Sequence, residues 1–214
     1  MDLDLRHATF TTFLDTAFDH AVDEDNLVAW YYDANAKVQI EPERAIDYLT
    51  RVFERPQSLT AAYSIRQIEQ GLWFLSKSAG EHFLGQLWNP VVAWDARARC
   101  IAAVYFLYDE LLCVEEFETI DYMLTDFLAT DDEYHAPGED RAAERSRVRG
   151  ALIPLFARLL DHPTYTARYA ALHGFGHLNI PEGAAKIRRF LQEAPYIEDS
   201  LRQYAEDAIE GAVL

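Results

Sequence analysis

The chain has 214 residues, half of them hydrophobic and 13% aromatic, so it can bury a substantial core and is not intrinsically disordered. Its 36 acidic and 19 basic residues give a formal net charge of −17. This charge repels nucleic-acid backbones and anionic membranes, and it attracts basic partners. No apolar run approaches the roughly 18 residues of a membrane span, and the acidic N-terminus does not resemble a secretory signal. We therefore expect a cytoplasmic protein with neither nucleic acid nor membrane as a partner.

Helical periodicity recurs along the first half of the chain. The stretch "RHATFTTFLDTAFDHAV" repeats apolar residues at three- and four-residue steps from Phe10 onward. Further helices are predicted in "EPERAIDYLTRVFER", with Pro42 in the first turn, and in "SLTAAYSIRQIEQGLWFLS", with Ser58 as the N-cap. The longest pattern is "NPVVAWDARARCIAAVYFLYDELLCV", which Asn89 and Pro90 are expected to start. Its middle is apolar nearly all round, which is typical of a helix buried between neighbours.

The two cysteines, Cys100 and Cys113, fall within this longest pattern. Thirteen residues of helix separate them by about 20 Å, which is too far for a disulfide. The sequence therefore predicts two reduced thiols, in agreement with a cytoplasmic location.

Acidic residues are concentrated between Arg99 and Arg141, where the sequence has no lysine or arginine. Two interpretations of this region stay open. It is either a solvated helix face followed by the exposed loop "TDDEYHAPGED", or a docking surface for a basic protein. Under the second interpretation the predicted partner-binding residues are Asp109, Glu110, Glu115, Glu116, Glu118 and Asp121.

Four helical segments with short connectors follow this acidic region. They are "AAERSRVRGALIPLFARLL", "HPTYTARYAALHGFGHL", "PEGAAKIRRFLQEA" and "YIEDSLRQYAEDAIEGAVL". Pro163 and Pro181 occupy first-turn positions of the second and third segments. Short connectors make sequential helices antiparallel neighbours, so stacked helix pairs are predicted.

The stretch "ALIPLFARLLDHPTYTARYAALHGFGHL" resembles HEAT-like helical repeats, and a weaker copy is "AAKIRRFLQEAPYIEDSLRQYAEDAIEGAVL". The resemblance covers roughly residues 145–214, and the second copy has Arg202 and Tyr204 where the repeat has a basic residue directly before its alanines. It implies an all-α fold in which antiparallel helix pairs stack as an irregular α-solenoid. We expect a single domain over residues 1–214, with irregular helix pairs in 1–130 and HEAT-like pairs in 140–214. HEAT-like proteins act mostly as protein-binding scaffolds.

The histidine pair in "ALHGFGHL" is the main candidate for chemistry. His173 and His177 are four residues apart and share one side of a helix, so two-point metal binding is geometrically possible. A zinc site needs a third and usually a fourth ligand, and Gly174 stands where the zincin motif requires glutamate. We therefore predict no metal and no cofactor. Together with Tyr169, the histidines are expected to line a groove and to hydrogen-bond to neighbouring helices, and a role in partner binding stays open.

These observations favour an acidic helical-repeat scaffold that binds protein and is not an enzyme. A concrete version is an immunity or antitoxin-like protein that neutralises a basic effector, for instance a nuclease. Two alternatives stay open. One is an enzyme whose groove uses His173 and His177 with nearby carboxylates, and the other is a homo-oligomeric structural protein, in the simplest case a homodimer.

Overall fold

A computed structural model describes residues 2–22, 29–31, 37–78, 82–130, 141–194 and 196–213. Across these ranges the protein is predominantly helical, which confirms the all-α prediction in its coarse form. The predicted exposed loop falls on residues 131–140, which lie outside the described residues. The helices are α1 (Phe10–Phe18), α2 (Pro42–Glu54), α3 (Gln57–Thr60), α4 (Ile65–Trp73), α5 (Trp94–Leu107), α6 (Ile120–Thr130), α7 (Arg141–Leu160), α8 (Tyr165–Leu178), α9 (Pro181–Glu193) and α10 (Asp199–Ile209).

Short irregular turns and one strand pair complete the described fold. Two π-helical turns cover Phe74–Ser78 and Tyr108–Leu112, and a 3₁₀ turn covers Leu84–Trp88. Strands β1 (Asp2–Asp4) and β2 (Lys37–Gln39) pair in parallel. The sequence does not predict this pair, because three residues are too few to display the alternation of a strand.

Helix α2 begins as predicted, whereas the starts of α4, α5 and α8 differ. Pro42 occupies the first turn of α2. The N-cap of α4 is Ser64 and not Ser58, because Ser64 and Gln67 form a reciprocal capping box. Helix α5 starts at Trp94 and not at Pro90, since the Asn89 side chain accepts a hydrogen bond from the Val91 amide and so forms a turn there. Pro163 lies before α8 and not in its first turn, because the Thr164 side chain caps the helix by accepting a hydrogen bond from the Ala167 amide.

Helix α8 is the centre of the C-terminal part, because it packs against α6, α7 and α10. Its glycines face side chains of α7 and of the segment that follows α10. A methyl group on Gly174 would lie 2.7 Å from the ring of Phe156, and one on Gly176 would lie 2.6 Å from Val213. The space above the glycines is thus filled by side chains and not by a neighbouring backbone.

A buried ion pair connects α5 to α7. The Arg97 guanidinium lies 2.8 Å from the Glu144 carboxylate, and the two side chains are 2% and 18% exposed. Cys100 is buried and Cys113 is half-buried; both are free thiols, as the sequence predicts. None of the described helices combines the length and the apolar character that a membrane crossing requires.

Candidate functional site

Four of the six predicted docking carboxylates contact other groups of the same chain. Asp109 lies 3.1 Å from His162 Nε2, and Glu110 accepts a hydrogen bond from Gln57. Glu118 forms a 3.0 Å ion pair with Arg66. These three carboxylates therefore interact with residues of the same chain.

Asp121 is the fourth of these carboxylates and lies half-buried at the start of α6. Burial raises its pKa, and its carboxylate accepts a hydrogen bond from the Tyr122 amide. The same helix start is capped from α4 by Glu69, which accepts hydrogen bonds from the Thr119 and Ile120 amides. A carboxylate at a helix N-terminus stabilises it, so the acids here serve local structure.

The remaining two acids are free of such contacts. Glu115 and Glu116 are exposed, and no ion pair or hydrogen bond of their side chains occurs within the described residues. Val114 beside them is 66% exposed. An exposed aliphatic side chain next to two exposed carboxylates gives this short segment, Val114–Glu116, a mixed apolar and acidic surface.

A second cluster forms around the histidine pair of α8. The rings of His173 and His177 have centroids 4.6 Å apart, as expected for positions four residues apart on a helix. Helix α6 adds Asp126, whose Oδ1 lies 3.4 Å from His177 Nε2. Each of these three side chains offers one nitrogen or oxygen atom to a ligand, and the three atoms lie within 4.8 Å of one another.

The register between α6 and α8 brings Asp126 to this position. The buried hydroxyl of Thr125 donates a 2.8 Å hydrogen bond to the backbone carbonyl of Ala170. This bond fixes α6 against α8 one residue before Asp126 and one turn before His173. Leu124 and Leu128 bury the adjoining face of α6 in the core.

His173 is the most enclosed member of the cluster, with 1% of its surface exposed. Its Nδ1 lies 2.5 Å from the hydroxyl of Tyr204 on α10. Burial, and secondarily the nearby His177, lowers the pKa of His173 to about 4. The imidazole is therefore neutral at neutral pH. When Nδ1–H donates to Tyr204, Nε2 carries a free lone pair.

Both Nε2 atoms lack a hydrogen-bond partner within the part of the chain that the structure describes. The Nε2 atoms of His173 and His177 are each buried, and the 3.4 Å approach of Asp126 to His177 does not have hydrogen-bond geometry. On the other side, Asp126 Oδ1 accepts a 3.2 Å hydrogen bond from Thr130. The side chains of Asp126 and His177 are 18% and 25% exposed, so the cluster lies just below the surface.

Tyr169, the third predicted groove residue, belongs to an aromatic group beside the cluster. Its ring stacks on Tyr204 with 4.3 Å between centroids, and it also stacks with Tyr165 at 5.8 Å. The predicted hydrogen bond to a neighbouring helix is present for His173, through Tyr204, whereas His177 lies near Asp126 without forming one.

Sequence reasoning did not find Asp126 or Tyr204. Both residues are on helices other than α8, and they are 47 and 31 positions away from His173 along the chain. Their proximity depends on the packing of α6 and α10 against α8, for which the sequence shows no motif.

A scan against protein-family models, a search of curated proteins and a search of solved structures each found no match for this chain.

Proposed function

We propose that the protein is an acidic, helical protein-binding scaffold whose partner is basic. The observation that carries this proposal is the surface at Val114–Glu116, where two exposed carboxylates lie next to a valine that is 66% exposed. The net charge of −17 supports it, because a field of this sign accelerates association with a cationic protein. Glu115 and Glu116 form the centre of the proposed docking surface, and Asp109, Glu110, Glu118 and Asp121 lie near them in the sequence.

The concrete form of the proposal is an immunity or antitoxin-like protein. Such a protein neutralises a basic effector, for instance a nuclease, by presenting carboxylates where the effector binds phosphates. An exposed apolar side chain among the carboxylates supplies the desolvated contact that gives an interface most of its stability. Cytoplasmic location belongs to the same proposal and is supported by the two free thiols.

The solenoid arrangement is also a proposal. Helices α7 and α8 pack together, as do α9 and α10, and α10 in turn packs against α8. This pattern supports two stacked HEAT-like pairs within residues 140–214, with irregular pairs in residues 1–130. The homo-oligomeric alternative stays a prediction, and size-exclusion chromatography would test it.

A charge-reversal experiment tests the docking surface. The tagged protein captures partners from a lysate of the source organism, and the double variant Glu115→Lys/Glu116→Lys is compared with wild type. The matched control is Glu206→Lys/Glu210→Lys, which changes the net charge equally at two exposed positions near the end of α10. We expect a basic protein that wild type and control retain, that salt releases, and that the double variant loses.

Two results would contradict the proposal. Equal loss of the partner in both variants would mean that only total charge matters. Full retention by the Glu115/Glu116 variant would place the interface elsewhere.

A further inference from the structure

We propose that Asp126, His173 and His177 form a binding site for a divalent first-row transition-metal ion between α6 and α8. This site goes beyond the proposed protein-binding function and shares no residue with the docking surface. The sequence alone predicts no metal because it shows only two ligands, and the third comes from the packing of α6 on α8.

The donor atoms suit such an ion. Two imidazole nitrogens and one carboxylate oxygen form a set that binds zinc and its neighbours in the first transition series, whereas calcium and magnesium prefer oxygen ligands alone. Three protein ligands leave at least one coordination position open for water or another ligand. That position would face the surface, because the Asp126 and His177 side chains are partly exposed.

The spacing fits a four-coordinate ion after small side-chain rotations. Zinc bonds of about 2.0–2.1 Å place two tetrahedral ligand atoms about 3.4 Å apart. The distance between Asp126 Oδ1 and His177 Nε2 is already 3.4 Å. No two of the three ligand atoms are more than 4.8 Å apart, so closing the site around an ion requires His173 to approach through its side-chain torsions.

The unpartnered nitrogens are an independent argument. Buried polar atoms are nearly always hydrogen-bonded, and each one left without a partner destabilises the fold. Here two such atoms, His173 Nε2 and His177 Nε2, belong to histidines that each bring one donor nitrogen within 4.8 Å of an Asp126 oxygen. One bound cation would satisfy both lone pairs and neutralise the Asp126 charge.

Hydrogen bonds behind the cluster already hold two of its members in place. Tyr204 fixes the Nδ1 side of His173, which leaves Nε2 as the ligating atom, and Thr130 holds Asp126 Oδ1. Supporting contacts of this kind are typical of metal sites, where they orient the ligands and set the histidine tautomer.

The test measures zinc binding to the full chain. A chelator first removes any bound metal, and isothermal titration calorimetry then measures the binding of Zn²⁺. We expect one ion per chain with sub-micromolar affinity. The variants His177→Gln and Asp126→Asn should each weaken binding at least about tenfold. The matched control is His162→Gln, which alters a histidine that lies at a similar distance, 3.1 Å, from a carboxylate. This control should leave the affinity unchanged.

A nuclear magnetic resonance measurement on the wild-type protein identifies the ligands without any substitution. Among the seven histidines, Zn²⁺ should shift the Nε2 resonances of His173 and His177 alone. This readout decides the question if a variant fails to fold. The proposal is wrong if Zn²⁺ does not bind, if Asp126→Asn and His177→Gln bind it as tightly as wild type, or if other imidazoles shift in their place.

Discussion

The buried ion pair between α5 and α7 makes a quantitative prediction about stability. The Arg97 guanidinium donates hydrogen bonds to the carbonyls of Val92 at 3.0 Å and Leu87 at 3.2 Å, and to the Glu144 carboxylate at 2.8 Å. Glu144→Gln keeps the size of the side chain but removes its charge. The Arg97 cation, whose side chain is 2% exposed, would then be buried without a counterion.

Removal of one partner from a buried ion pair costs about 3–5 kcal/mol in free energy of unfolding. Glu144 is 18% exposed and both carbonyl contacts of Arg97 survive, so we expect the lower end of that range. With a urea dependence of about 3 kcal/mol per molar, a loss of about 3 kcal/mol lowers the unfolding midpoint by about 1 M.

Urea unfolding followed by far-ultraviolet circular dichroism measures this shift. The control is Glu193→Gln, which removes an ion pair with Arg189 whose side chains are 60% and 70% exposed. Exposed ion pairs contribute little to the free energy of unfolding, so the urea midpoint of Glu193→Gln should equal that of wild type. A Glu144→Gln midpoint as close to wild type as that of the control would refute the argument that Arg97 depends on its counterion.

Two further predictions concern glycine packing and thiol ionisation. Gly174→Ala places a methyl group 2.7 Å from the buried Phe156 ring and should destabilise the protein by about 1–3 kcal/mol. Gly150→Ala is the control, because no atom lies within 4 Å of the added methyl group, and it should stabilise the protein by up to about 1 kcal/mol. Thermal unfolding should show melting-temperature shifts of opposite sign, and shifts of equal sign would count against this packing. Burial raises the pKa of the Cys100 thiol to about 12, whereas its pKa in the unfolded chain is about 8.5. The neutral thiol therefore contributes fully to the free energy of unfolding below about pH 8.5, and this contribution declines as the pH rises toward 12. The unfolding midpoint of wild type should therefore fall more steeply above that pH than the midpoint of Cys100→Ala; parallel curves would show that Cys100 ionises as readily in the folded protein as in the unfolded chain.

The helices that the sequence predicts best are those whose ends have a local chemical signal. Pro42 and Pro181 begin α2 and α9 as expected, because proline in a first helical turn loses no hydrogen bond. The sequence analysis predicts Ser58 as the N-cap of α4, but the N-cap is Ser64. Only Ser64 has a glutamine three residues later, and this completes its capping box.

The candidate metal site is predictable only in part. The spacing of His173 and His177 places them on one side of α8, and this placement follows from the geometry of a single helix. The position of Asp126 depends on the register between α6 and α8, fixed in part by the Thr125 hydrogen bond to Ala170. Contacts between distant helices leave no local pattern, so the third ligand is visible only in the folded structure.

The ion pair between Arg97 and Glu144 also has a consequence for synthesis of the chain. The two residues are 47 positions apart, so Glu144 is made several seconds after Arg97 at translation rates of about 5–20 residues per second. During that interval the guanidinium has no counterion, and burying it would be unfavourable. We therefore expect α5 to remain incompletely packed on the ribosome until α7 has emerged, which makes the nascent chain more dependent on chaperones in that interval than the finished protein.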